Sequence, residues 1–394
     1  STEPQEVSLN GANNVGLVPG MDKRTWQGGK RPRVCVVGSG IAGNGAAYFL
    51  REAYDVTLCE RERRTGGHAH TVEVGEGRRV DIGFQVFNHT NYPLLTKLFE
   101  ELGVETAQSD MSLSIASRGA GNDFEWSSRA LFPTWASLLS PASWLRLFEI
   151  LRFERVARDA LAAGNLGDVK LGEWVAQKGF SVRLTQEYLA PMGAALWSCP
   201  TDHVLDFPAV TVLGFLENHF MLQRARPKWH TVKHRAEDYV ERLHSSLRAS
   251  GTSILAPTEV ACLKADSSGG VRVFDVQGRP VDPEPFDRVV LAVHADQALA
   301  ILQRSELPPD DVARAEALLG QFRYFANRVS VHNDPRFMPK ERACWSAWNA
   351  LQMPGGVAPV TYWVNRLQPG AVPEGQDIFV TLNAPDGAIA ESAQ

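Results

Sequence analysis

Residues 33–60, RVCVVGSGIAGNGAAYFLREAYDVTLCE, constrain the fold more than any other part of the chain. Val34, Cys35, Val36 and Val37 form a short apolar, β-branched run, as expected of a strand buried on both faces. Three glycines follow at once. Gly38 permits a tight turn. Gly40 lets a phosphate approach the backbone, and Gly43 lets the next helix pack closely on the strand. Ser39 and Ala42 belong to the same helix start, whose N–H groups and dipole favour a diphosphate. A second strand over Asp55–Cys59 ends at Glu60, which lies 22 positions after Gly38. An acid at that spacing accepts from a ribose hydroxyl and disfavours a 2′-phosphate, so the expected ligand is a dinucleotide other than NADP.

From Glu60 the chain continues E-R-E-R-R-T-G-G-H-A-H-T. This resembles the FAD fingerprint of the amine oxidase and phytoene desaturase superfamily, E-x-x-x-R-x-G-G-x-x-x-T, with Glu60, Arg64, Gly66, Gly67 and Thr71 at the matching positions. VDIGFQVFN (80–88) resembles the next family segment, which implies that Asp81 and Gly83 lie on the turn passing the flavin. PTEVACL (257–263) resembles the step whose valine, here Val260, meets adenine through its backbone. GGHAHTV, LAPMGAALWS, RVVLAVHADQAL, WSAWN and TYWVNRLQ are similar to a branch of flavoproteins found beside, or fused to, cyclopropane fatty acyl synthases. The similarity runs from about Arg33 to Pro385. It implies an α/β chain in which a Rossmann-type FAD-binding domain is interleaved with a helical and mixed-sheet substrate domain. It also implies FAD as cofactor, and acyl chains of lipids rather than amines as substrates.

The sequence departs from the family pattern in three places. Lys233, His234 and Arg235 stand where a glycine pair is expected. Three long side chains there would crowd the flavin ring or shift it. Asn44 replaces the usual leucine after the third glycine. The chain ends at Gln394, where relatives continue with a glycine-containing segment reaching the flavin, so a C-terminal FAD segment is expected to be missing. The first residue is Ser1, which fits either cleavage of a targeting peptide or truncation.

With 394 residues, 44% hydrophobic and 22% charged, the chain has the make-up of a globular protein with a sizeable core. A net charge of −5 gives no electrostatic case for nucleic acid. Five scattered cysteines, 35, 59, 199, 262 and 344, form no metal-ligand spacing and read as reduced thiols of an intracellular compartment, either cytoplasm or an organelle interior. No run of about 20 apolar residues is present. The expected organisation is a flexible arm over 1–31, FAD-binding segments over 32–115 and 231–300, a mainly helical insertion over 116–230, and a substrate-domain sheet over 301–394. A helix is expected at 91–103, capped by Asn91, and a hairpin at 269–281 about a Gln-Gly turn.

The remaining candidates have plainer readings. His68 and His70 flank Ala69 and complete no His/Cys/Asp/Glu cluster, which favours loop packing over metal. His294 suits a capping or hydrogen-bonding role better than catalysis. Ser346 lacks a nucleophile elbow. The stripe of Trp144, Leu145, Leu147, Phe148 and Leu151 suits a core helix, or an interfacial helix in peripheral contact with a membrane. Three functions remain open: an FAD-dependent oxidoreductase of apolar lipids with no catalytic side chain assigned, an amine oxidase, and a catalytically degenerate flavoprotein serving as a subunit of an assembly. For the first, the insertion should cover an apolar cavity opening towards the flavin, with Met192 and Trp197 on or near it.

Overall fold

The computed structural model describes residues 30–389 other than 76, 119–123, 198, 200, 224–226 and 354–358. All but the last two residues of the expected N-terminal arm lie outside this range. The chain forms two compact units, one running through Thr65 and resuming over Leu247–Gly320, the other built from Gly66–Ser246 and the residues from Gln321 onward.

The first unit is built on a parallel sheet in the order Arg288–Leu291, Arg33–Val37, Asp55–Cys59, Ser253–Leu255. The apolar run at 34–37 takes a central place because both of its faces are covered. Helix Ile41–Leu50 crosses between the first two strands and buries Gly43, Asn44, Ala47 and Tyr48. Strand Val271–Asp275 pairs antiparallel with Val260–Ala265. The expected hairpin about Gln277-Gly278 also forms: the Asp275 amide donates to the Arg279 carbonyl and the Val281 amide to the Val273 carbonyl, both at 2.9 Å, with Phe274 bridging Pro280. Val260, Leu263, Val273 and Phe286 close an apolar cluster on Cys35, Val37 and Cys59.

The second unit carries a six-stranded mixed sheet in the order Val329–His332, Phe379–Leu382, Val360–Trp363, Trp348–Gln352, Leu113–Ser117, Phe124–Ser127. Trp348–Gln352 and Leu113–Ser117 run parallel, and the other neighbours run antiparallel. Its main core joins this sheet to the helices of the insertion, among them the 23-residue Pro141–Ala163. The two units divide at 65/66, 246/247 and 320/321, whereas the sequence-based segments break at 115, 230 and 300. Pairing of Thr106–Ser109 with Trp229–Val232 ties residues from both sides of the sequence-based boundaries into one unit.

The helix expected at 91–103 spans Pro93–Glu101, and its cap is Tyr92, not Asn91. Proline fits the first helical turn, which moves the start downstream. Asn91 instead exchanges hydrogen bonds with Asn88 and donates to the Asn218 carbonyl at 2.6 Å.

Candidate functional site

In the first unit the glycine turn has the shape its residue types require. A Cβ on Gly38 would stand 2.6 Å from the Ala292 carbonyl oxygen, and one on Gly43 would stand 1.7 Å from that of Gly38. A Cβ on Gly40 would meet nothing within 4 Å. The first and third glycines thus serve chain packing, while the second leaves open space beside a helix start. No side chain caps that helix, of which Ala42 is the second residue. Glu60 is buried at the end of its strand. Its carboxylate accepts from the Ser39 amide at 2.9 Å, the Ser39 hydroxyl at 2.6 Å and the Glu62 amide at 3.0 Å. The acid therefore also organises the turn. Asn44, the departure from leucine, donates from Nδ2 to the Ser39 carbonyl at 2.7 Å and stitches the turn from the helix side. Composition alone gave no sign of that bond. Val260 is buried in the apolar cluster beneath this sheet. These residues fit a dinucleotide: a tight turn and close helix packing permitted by Gly38 and Gly43, open space at the helix start that a side chain at Gly40 would enter, and a spaced acid.

Arg64 is exposed, and its Nη1 donates to the Thr65 carbonyl at 3.2 Å. In the second unit Gly66 and Gly67 both take positive φ, +104° and +58°, which side chains rarely adopt. A Cβ on Gly83 would lie 2.0 Å from the His68 carbonyl oxygen, to which the Phe84 amide donates. Gly83 thus allows two chain segments to touch. Thr71 donates to Asp81 at 2.6 Å. Both Asp81 oxygens accept from the amide of Ala236, the first residue of helix Ala236–Ala249. Burial pushes the Asp81 carboxyl up from its ordinary value, with these hydrogen bonds and the Arg235 charge opposing.

The turn at 233–235 corrects the expectation of three crowding side chains. Lys233 and His234 reach the exposed Glu105, at 2.7 and 3.5 Å. Only Arg235 turns inward. It holds φ +80°, a conformation suited to the glycine expected there. Its Nε donates to the Arg79 carbonyl at 3.0 Å, while Nη1 is buried with no hydrogen-bond partner among the described residues. Burial lowers its pKa, against the favourable charge of Asp81.

The second unit also contains a cavity of about 760 Å³. Its apolar wall includes Trp126, Tyr188, Met192, Leu196, Phe215 and Trp348. Tyr188 sits in a single π-helical turn, Thr185–Leu189, and packs edge-on against Trp126 with ring centroids 5.5 Å apart. Periodicity in the sequence does not reveal such a turn. Trp197 lies one ring behind the wall, 4.9 Å from Phe215. Asp110 is the only acidic residue among the described lining, and Arg366 meets it at 2.5 Å. Burial pushes the Asp110 carboxyl up, but hydrogen bonds from Arg366 and Ser112 outweigh it and hold the group below its ordinary range. Arg129 and Lys228 also line the cavity, and neither meets a carboxylate among the described residues.

The other candidates have local roles. The His294 carbonyl accepts from Ala298, which places this residue at a helix cap with no side-chain capping bond. Ser346 is buried between Ser127 and the Cys344 carbonyl. Among the described residues no three His, Cys, Asp or Glu side chains are grouped to hold a metal, and no helix is long and apolar enough to cross a membrane.

Solved structures similar to this chain include a putrescine oxidase bound to putrescine, at 18% identity and TM-score 0.62, covering 90% of this chain and 75% of that one. Cyclohexylamine oxidase from Brevibacterium oxydans matches at 18% and 0.61, covering 90% and 75%. A CLA-producing fatty acid isomerase from P. acnes matches at 17% and 0.63, covering 91% and 78%. These likenesses show the fold. A search of curated proteins gave no match. The family model for flavin containing amine oxidoreductases matches residues 41–383, so the chain belongs to that family, and its cofactor is FAD.

Proposed function

We propose that this chain is an FAD-dependent oxidoreductase acting on an apolar lipid with an anionic head group, of which a fatty acyl chain is the simplest case. The related proposal is that it belongs to the branch associated with cyclopropane fatty acyl synthases. The observation carrying the substrate reading is the charge of the cavity. Its walls are aromatic and thioether-rich, its one described carboxylate is neutralised by Arg366, and Arg129 and Lys228 have no acidic partner among the described residues. A carboxylate or phosphate head would meet those cations, while Met192, Leu196 and Phe215 would surround the tail and exclude water. Bound FAD supplies a two-electron acceptor for a substrate C–H bond.

Asp110, the one described carboxylate of the lining, is already paired with Arg366, which weighs against an ammonium head group. A catalytically degenerate subunit of an assembly is the second reading. The observation favouring it is Arg235 in place of a family glycine, with a buried and partly unpartnered guanidinium.

Binding of oleate and of oleylamine to the FAD-loaded protein tests the substrate reading, because the two share a chain and differ in head charge. Oleate should bind at least about tenfold more tightly, and Met192→Trp, which narrows the cavity, should weaken it by a similar factor. Preference for the amine, or oleate affinity indifferent to Met192→Trp, would remove the reading.

A further inference from the structure

Eight of the large apolar side chains exposed on this protein lie between residues 131 and 182. Trp135 and Leu139, on the short helix Trp135–Leu139, are 81% and 79% exposed, and no residue of that helix is buried. On helix Pro141–Ala163, Leu145 and Phe148 are 67% and 61% exposed, with Trp144 and Leu151 beside them. Spacings of three and four residues put 144, 145, 148 and 151 on one side of the helix. The rings are held in place: Trp144 packs on Phe132 at 4.6 Å and on Phe148 at 6.2 Å, and its indole N–H donates to the Leu138 carbonyl at 2.9 Å. The patch is therefore an ordered surface on the second unit.

Charge identifies the occupant. The same helix face continues from Leu151 to Arg155 and Arg158, both exposed, and neither meets a carboxylate in ion-pair range among the described residues. Residues 129–158 hold five arginines against two glutamates, in a chain whose net charge is −5. A groove of about 450 Å³ lies beneath the helix pair. Its lining includes Ser137, Ser140 and Ser143 of the two helices, with four cationic side chains against three glutamates. Exposed tryptophan, leucine and phenylalanine next to unpaired arginines match the boundary between acyl chains and anionic head groups.

We propose that this face docks the protein on an anionic lipid surface. Trp135, Leu139, Leu145 and Phe148 enter the acyl boundary, and Arg155 and Arg158 lie at the head groups. The docking surface is independent of what the larger cavity binds. A second copy of the chain would find arginine facing arginine at a two-fold contact, and so is the less favourable occupant.

Co-sedimentation of the FAD-loaded full chain with phosphatidylcholine vesicles, with and without about one-third phosphatidylglycerol, tests this. Binding should require the anionic lipid and weaken as salt rises. Trp135→Ser combined with Leu145→Ser and Phe148→Ser should weaken it by about tenfold or more, with flavin content and melting temperature kept. If that variant does not fold, Arg155→Glu with Arg158→Glu serves instead, since both positions are exposed; it should abolish the preference for anionic vesicles. The proposal is overturned if the wild-type chain ignores both vesicles, if it binds both equally at all salt concentrations, or if the substitutions leave binding unchanged. It is also overturned if light scattering shows that the patch substitutions dissolve a dimer instead of a vesicle complex.

Discussion

Gly38, Gly40 and Gly43 look alike in a motif but carry different loads. Gly43→Ala would drive a Cβ into the Gly38 carbonyl at 1.7 Å, and the helix must move away from the strand. A Cβ on Gly40 meets no protein atom within 4 Å, so Gly40→Val should cost only the N-cap preference, about 1 kcal/mol, and far less than Gly43→Ala, while FAD binding is lost. Measuring apo-protein melting and flavin content on both variants separates the two roles. Equal destabilisation by both would contradict this assignment. Arg235 gives the converse case. Because φ is +80°, Arg235→Gly should be more stable than Arg235→Ala by about 1 kcal/mol, read from urea denaturation. Equal stabilities would mean that the turn relaxes when the side chain is removed. The glycine roles were legible in the sequence because each follows from a missing Cβ within a few residues. Arg235 was legible only as a departure. Its partner, the Arg79 carbonyl, lies 156 positions away, and no local pattern announces it.

At the scale of elements, the sheet of the second unit contains a titrating joint. His332 is buried between strands. Its Nε2 faces the Thr381 hydroxyl at 2.7 Å, and its Nδ1 accepts from the Asp334 amide at 3.2 Å. Accepting there requires a neutral ring. Burial lowers the imidazole pKa below its ordinary 6.5, with Asp334 opposing. The unfolded chain therefore takes up this proton at higher pH than the folded one. The associated stability is complete above the unfolded value and is lost as pH falls through it. Urea denaturation at about pH 7.5 and about pH 5.5 should show lower stability in acid, with a smaller drop in His332→Gln. An unchanged drop in the variant would assign the titration elsewhere. The sheet expected over 301–394 was legible, since the strands Val329–His332, Val360–Trp363 and Phe379–Leu382 fall within it and are rich in β-branched residues. The longer pairing of Val271–Asp275, with Val260–Ala265, was not, because strand pairing is decided by which apolar face meets the cluster around Cys35 and Val37, and a one-strand pattern does not contain that information.

At the scale of the whole molecule, the strand, glycine turn and spaced acid made a dinucleotide site legible, and the resemblance of residues 60–71 to the FAD fingerprint supplied the family. The boundaries of the compact units were less legible, since residues 66–115 carry FAD-fingerprint motifs yet pack with the insertion. The cavity at about 760 Å³ depends on a π turn, a Trp126–Tyr188 contact and an Asp110–Arg366 ion pair, all contributed by distant segments. The most direct test of the central claim is anaerobic mixing of the FAD-loaded protein with oleate or oleylamine while the visible flavin absorbance is followed. The account expects bleaching with the acid, slowed at least about tenfold by Met192→Trp, and little or none with the amine. Bleaching by oleylamine alone, or none by either chain in a protein that retains its flavin, would contradict it.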